Sequence, residues 1–591
     1  MEIANSEPLD IDAAQRLALP AGQAEDPVVY DSSPLSEEPV EELQFAQFPA
    51  LVASLRTPRA NSIPEGQAWL HDHQTRIPSE PSERWWHSEA IGDTATLAPP
   101  WWDVTVRRPI GASHETLKID IANLTTNALL YSSYVQSITA APSIQEAALL
   151  TQTAAFDWHG FLESSYDDVS DPVGSLLVTG TNDTRYKNQN VSVKGGVRRR
   201  NTAGGQVEAF QRFGRQEDNS RFLNPNPQRT TRLELRYTQP LLKGAGSTYN
   251  QSEIVLAHIL LDRTSDALAQ ELEAHLVRVT EAYWELYRSR AEFLQRRKLL
   301  MSAQDILQNL KSRRDVDAVE RQVFRAQSAV ANRESEMIRA ETRIRNWQSR
   351  LRLLVNDPAL VQASNREFLP VEAPVLYDVP LSMSDSLHTA LLNRPDISQA
   401  IRDARAATVR LGVARKDLLP QLDFVVSSYV AGLAAAADKG QAFGNQFSEG
   451  RPTFSAGLQF EVPIGNRAAA AQATQRQYEL NQAMSRFSLK VEEALTTVEV
   501  AVREVQTSRG EIIAKFKSMS AVQKEADYLS DRWTLLPYAN DSAAQLLENL
   551  LEAQERLADE ELALVDAQVR YALALVALKS EMGTLLRMNS N

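Results

Sequence analysis

The chain has 591 residues, with 76 Asp and Glu against 62 Lys and Arg, a formal net charge of −14, and no cysteine. The acidic balance argues against nucleic acid as a partner, which needs a basic face, and the missing thiols exclude disulfides, zinc–thiolate sites, thiol nucleophiles and a lipidated N-terminal cysteine. No apolar run reaches the ~18 residues of a membrane-spanning helix, and the start Met1–Pro8 shows no signal peptide, which fits either a cytosolic chain or a precursor that starts further upstream.

Residues 1–60 are rich in Pro, Glu, Asp and Ala and read as a flexible acidic segment. Residues 61–112 interleave Trp69, Trp85, Trp86, Trp101 and Trp102 with prolines, and read as an irregular strap whose rings pack on another surface. A carbohydrate-binding role is the alternative for those rings. From His114 to Ala155 helical spacing resumes, interrupted at Pro142. Residues 156–241 change to period two. Val191, Val193 and Val197 alternate with polar neighbours, a turn follows at Asn201–Gly205, and Val207–Phe213 continues a hairpin. Leu233, Leu235 and Tyr237 alternate with Arg232, Glu234 and Arg236. From Ser247 to Asp357 there is neither Gly nor Pro, the strongest helix breakers. Met337, Ala340, Ile344, Trp347, Leu351 and Leu354 step by three and four, the repeat of a coiled-coil seam. The length favours a hairpin of two long helices over one unbroken rod.

After a linker at 358–384 the same order returns over 385–588: helix, strands within 421–463, and a helical hairpin over 466–588. Phe454, Ala456, Leu458, Phe460 and Val462 form the cleanest alternation in the chain. Leu550, Ala553, Leu557, Glu560, Leu564, Ala567, Tyr571, Ala574 and Leu578 form the longest seam. Ser164–Tyr166 registers with Ser427–Tyr429, Pro240 with Pro463, and Leu351 with Leu578. Two copies of one unit are therefore expected, the first at 113–357.

Catalytic patterns are missing: there is no phosphate loop, no HExxH and no nucleophile elbow. No enzyme activity, cofactor or resident metal is expected. Asp167, Asp168 and Asp171 read as solvated loop acids, with calcium as the alternative. Arg198–Arg200 reads as a solvated turn, with lipid phosphate as the alternative. Tyr283, Trp284 and Tyr287 lie at helical spacing and read as seam packing. The strands need two environments, because one face is apolar and the other polar. In a membrane barrel the apolar face meets lipid and the polar face lines a wet lumen, so Leu458 and Phe460 are expected to face lipid.

Several stretches together resemble the TolC-like outer-membrane efflux protein family. They are Tyr237–Gly246, Ala282–Leu286, Arg394–Ile397 with Leu418–Leu422, Phe460–Arg467, and Leu550–Leu586 with Glu581–Leu585. They span roughly residues 113 to 588. Ala155–Trp158 and Arg532–Pro537 resemble planctomycete-type versions. The resemblance implies a mainly α fold with a β-barrel portion: long antiparallel helical hairpins forming an α-barrel tunnel, and four strands per chain in an outer-membrane β-barrel shared by a homotrimer. It implies a passive exit duct in the outer membrane, reaching into the periplasm, that docks a periplasmic adaptor (membrane fusion protein) and an energised inner-membrane pump in efflux or type I secretion. The hairpin at 191–213 exceeds the expected strands, and the Trp-rich region lies outside the family pattern. The helix reversals are expected near 312–318 and 532–541. Arg313, Arg314, Asp315 and Pro537 are the candidates there for adaptor docking, and Asp541 for a ring at the pore mouth. A soluble coiled-coil scaffold or a periplasmic adaptor subunit are the alternatives; an adaptor should carry a lipoyl-like β-domain between its hairpin arms.

Overall fold

The computed structural model describes residues 99–110, 115–312, 320–362, 366–436, 440–535 and 541–587. Helix α1 (Trp101–Val106) precedes the first repeat, which opens with β1 (Thr116–Ile119), α2 (Ile121–Tyr131) and α3 (Ser133–Thr153). Four strands follow: β2 (His159–Pro172), β3 (Arg185–Arg200), β4 (Gln206–Asp218) and β5 (Gln228–Pro240). Then come the long helices α4 (Ser252–Ser312) and α5 (Glu320–Val355). Strand β6 (Glu367–Pro370) precedes the second repeat. That repeat holds α6 (Met383–Asn393), α7 (Pro395–Lys416), β7 (Gln421–Ala435), α8 (Gln441–Ser448), β8 (Thr453–Glu461), α9 (Arg467–Leu535) and α10 (Asp541–Glu581).

Local chemistry explains the helix starts. Asp120 caps α2 by accepting from the Asn123 amide at 2.7 Å, and Ser382 caps α6 through the Asp385 amide at 3.3 Å. Pro395 opens α7, where a missing amide proton is harmless. Helix α9, with 69 residues, is about 100 Å long at roughly 1.5 Å per residue. Its length is sustained by packing, since isolated helicity of this kind gains little from propensity alone. Helices α4 and α5 pack on each other, α9 packs on α10, and α10 also packs on α4. The expected seams lie inside: Ala340, Ile344, Leu351, Ala553, Leu564 and Ala574 are all buried. Tyr283, Trp284 and Tyr287 are buried too, with Trp284 edge-on to both tyrosines.

Three local expectations change. Pro142 does not interrupt its helix but sits buried within α3; the break falls ten residues earlier at Ser132, whose backbone is extended. Docking of α3 along α4 outweighs the lost backbone hydrogen bond. Residues 116–119 are not helical, because β1 pairs in parallel with β6. Trp101 and Trp102 begin a helix rather than an irregular strap. Trp102 is fully buried, while Trp101 donates to Glu561 at 2.9 Å beneath the Lys298 ammonium. The other three tryptophans of that region, and the acidic segment 1–60, lie outside the described residues.

Arg290 ties the first repeat together. Its guanidinium is fully buried and donates to the carbonyls of Val106, Arg108 and Phe368 and to Glu367 at 2.6 Å. One side chain on α4 thereby holds the end of α1, the segment after it, and β6. Removing it takes the guanidinium from three carbonyls and from Glu367, which then keeps the Ile110 amide at 2.9 Å. Arg290→Met is expected to cost about 3–5 kcal/mol, the usual penalty for breaking a buried charged pair, and Arg290→Lys should recover little because an ammonium cannot reach four acceptors in a planar fork. Denaturant midpoints of the purified variants check this; a midpoint unchanged in Arg290→Met would refute it.

Candidate channel wall and helix ends

Six of the eight strands described form one antiparallel sheet in the order β2-β3-β4-β5-β7-β8. The family resemblance implied four. The two additional strands are β3 and β4, joined at the expected turn, where the Asn201 amide donates to the Gly205 carbonyl at 2.7 Å and the Gly205 amide to the Asn201 side chain at 2.7 Å. Gly204 has φ +96°, and a Cβ there would meet the Gly244 carbonyl at 2.5 Å. The tip of this hairpin is thus fixed against the loop that leads into α4, so the hairpin belongs to the wall. Strands β5 and β7 join the two repeats through a continuous register from Gln228↔Ala435 to Pro240↔Asp423. Both β5 and β8 lead directly into long helices, α4 and α9, so the sheet and the helix reversals lie at opposite ends of the same elements.

Cross-strand partners share a face. Val193, Phe213, Thr231 and Gly432 are successive partners across β3, β4, β5 and β7. Phe424 opposes Leu458 and Leu422 opposes Phe460 on that same face. Most of it is apolar and exposed: Leu458 is 68% exposed, Phe460 61%, Leu235 53% and Leu162 76%. The other face is charged and internally paired. Lys194 lies 3.1 Å from Glu208 and 3.8 Å from Glu163, with its ammonium over the rings of Phe161 and Phe210. Glu234 is 4% exposed and held at 3.0 Å by both Arg232 and Arg236. Arg232 in turn stacks 3.6 Å from the centre of Tyr429. Exposed hydrocarbon on one face and compensated charge on the other is the reverse of a sheet whose hydrocarbon is a covered core.

The sequence-derived candidates are placed unevenly. Leu458 and Phe460 sit side by side on the apolar face. Arg313, Arg314, Asp315 and Pro537 lie outside the described residues. Asp541 is the first residue of α10, and its side chain also lies outside them. The flanking helices are informative nonetheless. α4 ends at Ser312 and α5 starts at Glu320; α9 ends at Leu535 and α10 starts at Asp541. Ile306, Leu310, Val323, Trp533, Leu547 and Leu550 form one buried cluster, so the ends of α4 and α9 and the starts of α5 and α10 pack together. Asp167, Asp168 and Asp171 are on β2 rather than in a loop, and alternation sends Asp168 to the face opposite the other two. Among the described residues no group of acids or histidines converges as a metal site, and no helix is long and apolar enough to cross a membrane. Sequence reading missed the Lys194 cluster and helix α8. The period-two alternation of Arg232, Glu234 and Arg236 was the available signal for the charged face.

Comparison with known proteins agrees with this geometry. Residues 386–584 match the family model described as outer membrane efflux protein. The fold resembles the Campylobacter jejuni CmeC outer membrane channel with a TM-score of 0.58 at 14% identity, covering 80% of this chain and 87% of that one. It resembles the Vibrio cholerae outer membrane protein VceC with a TM-score of 0.55 at 17% identity, covering 78% and 96%. The open-state Neisseria gonorrhoeae MtrE outer membrane channel aligns with a TM-score of 0.54 at 16% identity, covering 80% and 90%. No curated protein sequence matches. Long helical hairpins growing from a two-faced antiparallel sheet define an outer-membrane channel fold. The second repeat, residues 386–584, is similar to the outer membrane efflux proteins, and the chain as a whole shares the fold of these outer-membrane channels.

Proposed function

We propose that the protein is the outer-membrane exit duct of a tripartite efflux or type I secretion system. The observation that carries this reading is the two-faced sheet, apolar outside and charge-compensated on the other side, opening straight into paired helical hairpins. Among the described residues, strands β2 and β8 each have one unpaired edge. Unpaired backbone groups are intolerable in hydrocarbon, so a sheet in a membrane must close. The strands alternate in direction, which lets β8 of one copy lie antiparallel to β2 of the next. Closure by three copies follows the family resemblance and gives a homotrimer with a shared barrel. The helices then reach into the periplasm, and their reversals meet the periplasmic adaptor, which couples the duct to an inner-membrane pump. Arg313, Arg314 and Asp315 supply polar contacts there, Pro537 ends its helix, and Asp541 from three chains surrounds the mouth. A soluble scaffold is disfavoured because it would leave Leu458, Phe460 and their neighbours in water.

Three outcomes test this. Arg at Leu458 or Phe460 should cost about 2–4 kcal/mol of barrel stability if those side chains sit near the bilayer midplane, whereas Gln459→Arg on the charged face should cost far less. Heat-modified migration of the folded trimer measures the difference, and equal tolerance on both faces would point to a soluble sheet. Charge reversal at Arg313 and Arg314 together should abolish export of dye from whole cells while leaving trimer abundance in the outer membrane unchanged; undiminished export would place the docking surface elsewhere. Asp541→Asn should lower cation selectivity in single-channel recordings, because a ring of like charges holds cations, and unchanged reversal potentials would remove the ring.

A further inference from the structure

Helix α8 lies on the apolar face of the sheet, just inside the rim remote from the long helices. Its sheet side is defined by close contacts. A Cβ on Gly432 would meet the Ala442 carbonyl at 2.0 Å, so the helix backbone rests directly on β7. Thr231 on β5 donates to that same carbonyl at 2.7 Å. Gln446 and Gln211 on β4 exchange side-chain hydrogen bonds at 3.0 and 3.2 Å. Asn445 donates to the Leu433 carbonyl at 3.0 Å. Phe443 stacks over Phe213 with ring centres 6.1 Å apart. Gly432 lies three residues before the end of β7, which places α8 about 10 Å below the rim at roughly 3.3 Å per residue.

The side turned away from the sheet is different. Ala442 and Gln446 are buried, whereas Phe443 and Phe447, one residue further round the helix, are 44% and 61% exposed and touch edge-on. No residue from Gln441 to Ser448 is charged; the first charges, Glu449 and Arg451, follow at once and are exposed. The helix spends Asn445, Gln446 and Ser448 on internal hydrogen bonds. It also covers Gln211 and Thr231, polar side chains on a face otherwise rich in Val, Leu and Phe.

We propose that α8 is an interfacial anchor, presenting Phe443 and Phe447 to the acyl chains of the membrane leaflet nearest the rim. The proposal rests on the membrane-barrel reading above. Lipid is the occupant because the exposed rings continue the apolar band of Phe213, Leu233 and Leu235 without an intervening charge, and the aromatic face of a helix lying in the interface plane buries at the boundary between headgroups and acyl chains. The same helix bridges β4, β5 and β7, and so clamps the additional hairpin to both repeats.

The cysteine-free chain allows a clean test. Nitroxide labels at Phe447→Cys, Phe443→Cys, Leu458→Cys and Glu449→Cys in the full-length protein, reconstituted in phosphatidylcholine–phosphatidylglycerol vesicles, would be compared for collision with oxygen and with a water-soluble nickel chelate. The expected result is that labels at 447 and 443 match 458, with oxygen favoured and the chelate excluded, while the label at 449 is wet. Gly432→Val, which drives the helix off the strand, should then make the label at 447 wet and leave 458 dry. Chelate access at 447 and 443 equal to that at 449, with 458 dry, overturns the anchor alone. Chelate access at 458 overturns the barrel reading and the anchor with it.

Discussion

Everything in this architecture depends on the ladder between β5 and β7. These strands come from different repeats, yet they pair over thirteen registered positions from Gln228↔Ala435 to Pro240↔Asp423. A shift of one residue would turn Leu233 and Leu235 to the charged face and Arg232, Glu234 and Arg236 to the apolar one. The ladder therefore fixes both faces at once. It also fixes where the helices begin, because β5 and β8 run in the same direction and deliver α4 and α9 from one edge of the sheet. The pairing of hairpins, and the packing of the far ends of α4, α5, α9 and α10 around Trp533 and Leu310, follow from that common start.

Charged side chains then set the spacing between layers. Arg402 on α7 reaches Asp262 and Asp266 on α4, both at 2.6 Å. Arg394 joins Asp396 to Glu581, so the entrance to α7 is bound to the end of the chain's last long helix. Arg333 on α5, nearly buried, donates to Gln554 and to the Leu551 carbonyl on α10, which crosses from one hairpin to the other. Guanidinium groups suit this task because one planar fork can serve several acceptors on different elements.

The sequence was most legible where periodicity was long and uninterrupted. The α4–α5 and α9–α10 helices, the β3–β4 turn and the alternation of β5 and β8 are local patterns, and local patterns are written in neighbouring residues. Strand β2 was harder: along its apolar side Leu162 and Tyr166 are mixed with Gly160, Ser164 and Asp168, so its alternation is faint. The parallel pairing of Thr116–Ile119 with Glu367–Pro370 joins segments far apart in sequence and leaves no local trace. Pro142 misled because its cost is local while the packing that offsets it is not. Helix α8 is too short for a period to declare itself. Of the candidate residues, the shared apolar face of Leu458 and Phe460 was readable because a strand shows its two faces directly, whereas what meets either face, or the helix reversals, is a matter of surfaces that a single chain does not display.

The β3–β4 hairpin separates two dimensions that are otherwise linked. Among the described residues the chain has six strands in its large sheet and two long helical hairpins. Inserting or removing one up-and-down pair of strands changes a closed wall's circumference by a fixed increment per copy, while the helical conduit keeps its girth. If the sheet closes as the exit-duct proposal has it, the resistance of the outer orifice to a diffusing solute can be lowered by evolution while the helix ends stay unchanged.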